Sequence, residues 1–385
     1  MWIYFVVIIC CFILHYVYNS VDSGSKDIVR NTFIVLLALF LCFGYMAGTD
    51  WRMYEVKYNE LSITNWMKDI YEEPGYRVYA YIFRMLNVDF WHFFIFTKII
   101  TYLIFIRVIR KYCPDACFFL ALMFFVALYS FFLWIDNPLR NLIAISIALY
   151  SIPALLERNK WKYFLIILIA TAFHYSSLIM VPFYWILNKQ YKNSTVVFVF
   201  ILFNLAFIDA KILYSLADFL VGWIPAVAYR LHIYSTGIDS AGITGKAFSF
   251  GYALHLMIFI LILIFRKRIE SLQYGNFLFN VSIVYICLFR MGLTVAVFSR
   301  LSLFCAVFYS ITVASIMQGF EMRSRRIYTI FLLIACLFAG YSSLTVDSRY
   351  VPYSNYLEYV GKDKPTFKER AKYNNEHSPY PPPKR

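Results

Sequence analysis

The chain has 385 residues, of which 61% are hydrophobic and 15% are charged, whereas soluble globular proteins carry about 25% charged residues. Apolar runs such as 116–135 and 327–341 approach or reach the roughly 17–25 residues that cross a bilayer. These features exclude a water-soluble fold and predict an all-α polytopic integral membrane protein. The net charge of +14 lies largely between apolar runs, so it reflects membrane topology and does not indicate nucleic-acid binding.

Basic clusters between the apolar runs orient the chain, because Lys and Arg accumulate on the cytoplasmic side. They predict ten transmembrane helices, both termini outside, and one membrane domain over residues 1–357. The predicted spans lie near 2–18, 31–47, 90–109, 116–135, 139–156, 195–209, 250–265, 276–290, 299–319 and 327–342. Exterior loops over 48–89 and 209–249 are expected to contain amphipathic helices. The polar, Pro-rich end predicts a flexible exterior tail over 358–385.

Residues 163–187 do not fit this alternation, because these 25 residues lie between two basic loops that both belong in the cytoplasm. Two full crossings would need about 40 residues. The segment therefore predicts a short re-entrant helix pair with His174 and Tyr175 at its tip. Irregular backbone at membrane depth is tolerated where it is buried in protein or lines an aqueous cavity, so the tip is a candidate cavity wall.

Four arginines fall on the exterior side of this topology, where the positive-inside rule does not require them. They are Arg140, Arg230, Arg290 and Arg300. The guanidinium fork suits phosphate oxygens, and Arg140 also opens a helix, whose N-terminus favours an anion. The arginines therefore predict a diphosphate-binding cavity. Snorkelling to lipid headgroups, or pairing with a carboxylate such as Asp136, is the alternative interpretation.

Two carboxylates bracket the first exterior loop. Asp50 follows a span directly, and Glu73 belongs to a Glu-Pro-Gly turn that returns to the membrane surface. Transfer to a sugar hydroxyl needs a group that deprotonates or orients the acceptor. This requirement makes the two carboxylates a candidate general base and a candidate ligand of a sugar hydroxyl. A solvated acidic loop is the alternative. For His174, at the tip of the interrupted segment, the alternative to a functional role is a hydrogen-bonded core histidine.

Six short motifs follow one another along the chain. They are Gly48-x-Asp50-x3-Tyr54, Glu73-Pro74-Gly75-Tyr76, Arg140-x3-Ala144, Phe173-His174-Tyr175-Ser176-Ser177-Leu178, the exterior pair Arg290 and Arg300, and Pro352-Tyr353-Ser354-Asn355. In this order they resemble the EpsG family of bacterial polysaccharide proteins, within the wider group of Wzy-like polymerases. The resemblance covers about residues 1–357, and the tail extends beyond it.

This resemblance implies a GT-C-like, metal-independent glycosyltransferase without a cofactor. It would polymerise undecaprenyl-diphosphate-linked oligosaccharide repeat units at the outer face of the bacterial inner membrane. The implied catalytic residues are His174, Asp50 and Arg290, and the implied substrate-binding residues are Arg140, Arg300, Arg230, Glu73 and Tyr175. The implied partners are the lipid-linked oligosaccharide and membrane lipid, together with a chain-length regulator and a flippase; nucleic acid is not among them.

Other functions compete with this interpretation. A flippase or transporter of the same lipid would also need a cationic cavity, although the chain has no two-fold repeat of the kind that many transporters show. An O-antigen-ligase-type transferase would use the same donor with a different acceptor. A membrane O-acyltransferase would use His174. A metal site is not predicted, because Cys113 and Cys117 lack further ligands at a suitable spacing.

Overall fold

The structure, a computed structural model, describes residues 1–62, 73–208, 249–294 and 298–382. Apart from one pair of two-residue strands, the regular secondary structure in these ranges is helical. The chain divides into two compact units, one formed by residues 1–184 with 310–385 and the other by residues 185–309. The sequence analysis expected a single domain over 1–357.

Helices occupy most of the described ranges. In chain order, the first ten are α1 Trp2–Ser20, α2 Ser23–Cys42, α3 Trp51–Glu60, α4 Pro74–Met85, α5 Phe90–Tyr112, α6 Phe118–Phe125 with a π-helical continuation over Val126–Asp136, α7 Leu139–Leu149, α8 Ile152–Leu156, α9 Lys160–Phe173 and α10 Phe183–Ile186. The later ones are α11 Asn193–Ala206, α12 Phe250–Ile264, α13 Arg266–Glu270, α14 Gly275–Thr294, α15 Ser299–Ser315, α16 Met322–Leu344 and α17 Phe367–His377. Short 3-10 helices cover Asp115–Cys117, Tyr175–Met180, Ile316–Gly319 and Tyr356–Tyr359, and the strands are β1 Gly44–Tyr45 and β2 Ser354–Asn355.

Six helical segments of the described ranges are long and apolar enough to cross a membrane. They are Trp2–Ser20, Phe90–Tyr112, Asp115–Asp136, Gly275–Thr294, Ser299–Gly319 and Met322–Leu344. Each of them coincides with a predicted span, which confirms an all-α, multi-pass membrane protein. The other four predicted spans are occupied by helices that are shorter or more polar, namely α2, α7 with α8, α11 and α12.

Local chemistry explains why two predicted spans end early. Helix α2 stops at Cys42, because Gly44 and Tyr45 leave the helix and pair with Asn355 and Ser354 of β2. The span predicted over 139–156 is divided into α7 and α8. Pro153 lies in the first turn of α8, where a missing backbone N–H breaks no hydrogen bond within the helix.

The predicted exterior end of the first unit is tied together by an ionic junction. Asp136 accepts hydrogen bonds from the backbone and side chain of Thr49 at 3.0 and 3.1 Å, and from Arg349 at 2.8 Å. Asp347 binds the same guanidinium at 2.7 Å. These contacts raise the pKa of Arg349, through its hydrogen bonds to Asp347 and through the charge of Asp136. The junction therefore joins the segments that follow α2, α6 and α16.

Gly48 lies against the backbone of this junction, and its N–H donates to the carbonyl of Arg349 at 2.6 Å. Its φ is +83°, and a Cβ atom would lie 2.4 Å from the carbonyl oxygen of Ile135. We expect Gly48→Ala to lower the melting temperature in detergent markedly, because this clash adds to the roughly 1–2 kcal/mol cost of a left-handed alanine. Gly361→Ala is the matched control, since Gly361 has a φ of +75° but nothing within 4 Å of its Cβ position. Equal losses in the two variants would show that the contact with Ile135 is unimportant.

The C-terminal segment differs from the flexible tail expected over 358–385. Helix α17 begins with a capping box formed by Thr366 and Glu369. Arg370 then makes two hydrogen bonds, of 2.6 and 2.8 Å, to the carboxylate of Glu55 in α3. Both residues of this pair are less than 10% exposed. Polar composition indicated solvent exposure, but it could not reveal a buried partner 315 residues away in the chain.

Candidate active site

Three breaks in helical structure supply the charged side chains of the site. Glu73 is the N-cap of α4. Arg140 is the second residue of α7, shortly after Asn137, whose φ of 59° is left-handed. His174 follows the end of α9 in an extended conformation and precedes the 3-10 helix. The interruption predicted at His174 is therefore confirmed, and each charged group occupies the end of a helix.

The carboxylate of Glu73 joins the other two side chains. Its Oε2 atom accepts a hydrogen bond from Nη1 of Arg140 at 2.7 Å, and its Oε1 atom lies 3.7 Å from Nδ1 of His174. The Glu73 side chain is 7% exposed, whereas those of Arg140 and His174 are 21% and 20% exposed. The solvated-loop interpretation of Glu73 is thus wrong. Arg140 does pair with a carboxylate, but its partner is Glu73, while Asp136 binds Arg349.

The Nδ1 atom of His174 has two competing neighbours. It accepts the backbone N–H of Ser176 at 3.2 Å, which places the proton of a neutral ring on Nε2. A protonated ring would instead direct its Nδ1–H toward Glu73. The Ser176 amide therefore requires an Nδ1 atom without a proton, whereas a hydrogen bond to Glu73 requires a proton on Nδ1.

Small polar residues hold the His174 turn in place. The hydroxyl of Ser176 donates to Oδ1 of Asn141 at 2.9 Å, and that of Ser177 donates to the His174 carbonyl at 2.8 Å. Tyr175, next to both serines in the turn, is 54% exposed. The turn is consequently fixed to α7 at Asn141, one residue beyond Arg140. The sequence analysis did not foresee this hydrogen bond between Ser176 and Asn141.

A glycine allows α4 to approach α9 closely. A Cβ atom on Gly75 would lie 2.8 Å from the carbonyl oxygen of Ala172, two residues before His174. The Glu-Pro-Gly motif therefore has two separate functions. Its carboxylate enters the site, and its glycine permits the helix contact that brings this carboxylate to the imidazole.

Tyr54 of α3 extends the cluster. The guanidinium carbon of Arg140 lies 6.0 Å from the centroid of the Tyr54 ring, at the limit of a cation–π contact. Burial raises the pKa of the Tyr54 phenol, and the charge of Arg140 acts in the opposite direction. Asp50 lies one turn earlier, and its carbonyl accepts the Tyr54 N–H at 3.2 Å. The spacing Asp50-x3-Tyr54 was the available signal for Tyr54, since it places the two residues on adjacent turns.

The remaining predicted arginines lie elsewhere in the chain. Arg290 belongs to the second unit and is 4% exposed, with its guanidinium carbon 5.2 Å from the Tyr252 ring centroid. Arg300 is exposed at the start of α15. Arg230 lies outside the described residues, as does most of the loop 209–249. The structure thus brings together Glu73, Arg140 and His174. The cavity that Arg290 and Arg300 were expected to share stays a prediction.

The chemistry of the cluster suits an anion. Arg140 presents N–H donors at the N-terminus of α7, where the helix dipole adds partial positive charge. Across the described ranges, no group of three His, Cys, Asp or Glu side chains could hold a metal ion.

Comparison with known proteins relates this geometry to a family. Residues 27–356 match the EpsG family, a range that covers most of the chain and includes Glu73, Arg140 and His174. The chain belongs to the EpsG family. Neither a curated protein nor a solved structure matches the sequence.

EpsG membership confirms the resemblance drawn from the motifs and indicates a polymerase-like role in polysaccharide biosynthesis, with glycosyltransferase-like activity. Helix α17 lies beyond the range that matches the EpsG family.

Proposed function

We propose that this protein joins undecaprenyl-diphosphate-linked oligosaccharide repeat units into a cell-surface polysaccharide at the outer face of the bacterial inner membrane. The observation that supports it most directly is the buried carboxylate of Glu73, shared between Arg140 and His174. Glycosyl transfer from a lipid diphosphate needs a positioned base for the acceptor hydroxyl and a positive group for the leaving diphosphate. This one cluster contains a candidate for each.

In the proposed reaction, the acceptor hydroxyl oxygen forms a bond to the anomeric carbon of the donor while the bond from that carbon to the diphosphate breaks. The hydroxyl proton passes to Nε2 of His174. For Nε2 to accept this proton, the neutral ring must carry its own proton on Nδ1. The Nδ1 atom therefore gives up the Ser176 N–H that it accepts in the structure and turns its own N–H to Oε1 of Glu73, 3.7 Å away. Hydrogen bonds of this kind often tighten only in the reacting complex, and general-base catalysis contributes roughly 10²–10⁴-fold to a rate.

Arg140 stabilises the diphosphate as its negative charge increases. One nitrogen of the guanidinium holds Glu73, and the side chain is 21% exposed to an approaching substrate. Arg290 and Arg300, which belong to the second unit, are further proposed phosphate ligands, so that arginines act where other glycosyltransferases use a metal ion, as in a GT-C-like enzyme. Arg230 and its loop would guide lipid or polymer.

The sugar contacts are assigned to residues around this centre. We assign to Asp50, one helical turn before Tyr54, the role of orienting a hydroxyl of the substrate. Tyr175 offers an exposed ring on which a sugar can stack.

The test is polymerisation by the purified protein in liposomes. Lipid-diphosphate-linked repeat units are added without nucleotide sugar or metal, and the products are separated on a gel. We expect a ladder of lengths that disappears in His174→Ala and persists in His377→Ala, an exposed histidine of α17. Transport of a labelled lipid across the liposome membrane without any ladder would instead favour the flippase.

A further inference from the structure

An apolar groove of about 520 Å³ opens at the predicted exterior edge of the first unit. Its walls are the end of α4, the beginning of α5 and the 3-10 helix over Tyr356–Tyr359. The lining includes Phe83, Val88, Phe96, Ile99, Leu357 and Val360. We propose that this groove binds the polyprenyl chain of the acceptor, the incoming lipid-linked repeat unit; the inference rests on the polymerase function proposed above.

The groove borders the face of α5 that we expect to meet the hydrocarbon of the bilayer. Phe96, Ile100 and Leu103 of α5 are 46%, 43% and 51% exposed, and their spacing places them on one face of this membrane-spanning helix. Phe96 also lines the groove. A lipid chain can therefore enter sideways from the membrane, and the volume lies within the roughly 300–1,000 Å³ of typical ligand pockets.

The polar end of the groove carries a cationic group, Lys364. The exposed ammonium of Lys364 donates to the Tyr356 hydroxyl at 2.5 Å and lies 4.7 Å from the centroid of that ring. His92, which is paired with Asp89, lines the groove beside Tyr356. A positive group at the aqueous end of an apolar groove complements an anionic phosphate attached to a hydrocarbon chain.

A second groove lacks this arrangement. It lies between α1 and α2, has a volume of about 390 Å³ and is lined by apolar side chains together with Cys10. Residues such as Val7 and Leu36 place it in the middle of these helices. This lining has no cation to select a headgroup, so we treat it as ordinary lipid-facing surface and as an internal control.

An aromatic row connects the first groove with the active site. The Tyr79 ring lies 5.1 Å from that of Phe83, which lines the groove, and 6.2 Å from that of Phe173, next to His174. The ten residues from Glu73 to Phe83 correspond to roughly 15 Å along α4.

This separation distinguishes the acceptor from the donor. The reacting carbon of the donor is bonded directly to its diphosphate, which must therefore lie at Arg140. The reacting hydroxyl of the acceptor lies at the far end of its oligosaccharide. A phosphate held at the groove, with a short oligosaccharide extending along α4, brings that hydroxyl to His174.

The proposal is tested with a sugar-free polyprenyl diphosphate that carries a photoreactive diazirine in its chain. The probe is cross-linked to the protein in proteoliposomes, and the labelled peptides are identified by mass spectrometry. We expect labelling around Ile99 and Leu357 that unlabelled polyprenyl diphosphate displaces and excess phosphatidylglycerol does not. Equal displacement by phosphatidylglycerol, or equal labelling of the groove between α1 and α2, would overturn the proposal.

Kinetics test the acceptor assignment. Leu357→Trp fills the groove from its exposed rim, and we expect it to raise the KM for the acceptor lipid roughly tenfold, equivalent to about 1.4 kcal/mol, with little change in kcat. Leu36→Trp, a residue 58% exposed in the control groove, should leave both constants unchanged. A fall in kcat without a rise in KM would contradict an acceptor site.

The outcomes separate this proposal from the polymerase function. Selective labelling of the groove in a wild-type protein that makes no ladder would refute the polymerase and leave a polyprenyl-diphosphate site. A ladder from a protein whose groove is labelled no more than the control groove would refute the groove and leave the polymerase.

Discussion

Replacement of Glu73 by Gln is expected to slow chain extension by at least about a hundredfold, at the lower end of the contribution of a general base. An uncharged amide cannot stabilise the imidazolium of His174, whose Nδ1 atom lies 3.7 Å from the Glu73 carboxylate. It also leaves Arg140 without its 2.7 Å ion-pair partner. The measurement is the rate at which the ladder lengthens, with substrate at saturation.

Two further variants separate charge from folding. Glu157→Gln removes an exposed carboxylate from the same unit and should leave the rate unchanged. Glu73→Asp keeps the charge but shortens its reach, so we expect intermediate activity. The melting temperature is recorded for each variant, and it should fall only modestly in Glu73→Gln because the Arg140 side chain is 21% exposed. Extension at the wild-type rate by Glu73→Gln would exclude the proposed role of this carboxylate.

Removal of Glu55 is expected to detach α17. The Glu55→Ala substitution leaves the guanidinium of Arg370, 8% exposed, among the rings of Trp51, Trp91 and Phe367 without a counter-charge. Breaking a buried ion pair on one side costs about 3–5 kcal/mol. We expect faster proteolysis of the C-terminal segment and a lower melting temperature.

The same helix offers the matched control. Lys372 and Glu376 are 4.0 Å apart, and both side chains are 57% exposed, so Lys372→Ala should cost no more than about 0.5 kcal/mol. A double variant, Glu55→Leu with Arg370→Met, should recover much of the lost stability, because no unpaired charge stays buried. If Glu55→Ala loses no more stability than Lys372→Ala, the ion pair does not hold α17.

The membrane architecture could be predicted because bilayer thickness limits the length of an apolar run. That limit located six spans, and it also showed that residues 163–187 could not form two crossings, which led to the break at His174. The length of an apolar run does not predict a helix end that depends on pairing with a distant segment. The end of α2 at Cys42 depends on a strand partner more than 300 residues later.

The site could be predicted only in part, because sequence identifies residue types but not their partners. Glu73, Arg140 and His174 were recognised, yet the carboxylate named as a possible alternative partner for the exterior arginines was Asp136, close to Arg140 in the chain. Arg349, 213 residues away, binds that carboxylate instead. Ser176 was part of the Phe-His motif, but its hydrogen bond to Asn141 had no signal in the sequence, since it depends on the contact of α7 with the turn at His174.

The ion pair of Glu55 with Arg370 also has a consequence for biosynthesis. The two residues are 315 positions apart, and at about 5–20 residues per second the ribosome needs roughly 15–60 s to make the intervening chain. During that time α3 exists without α17, so the Glu55 carboxylate and the Trp51 ring lack their contacts with Arg370. The layer that joins α3 to α17 is therefore assembled last, after all the spans of the first unit have been synthesised.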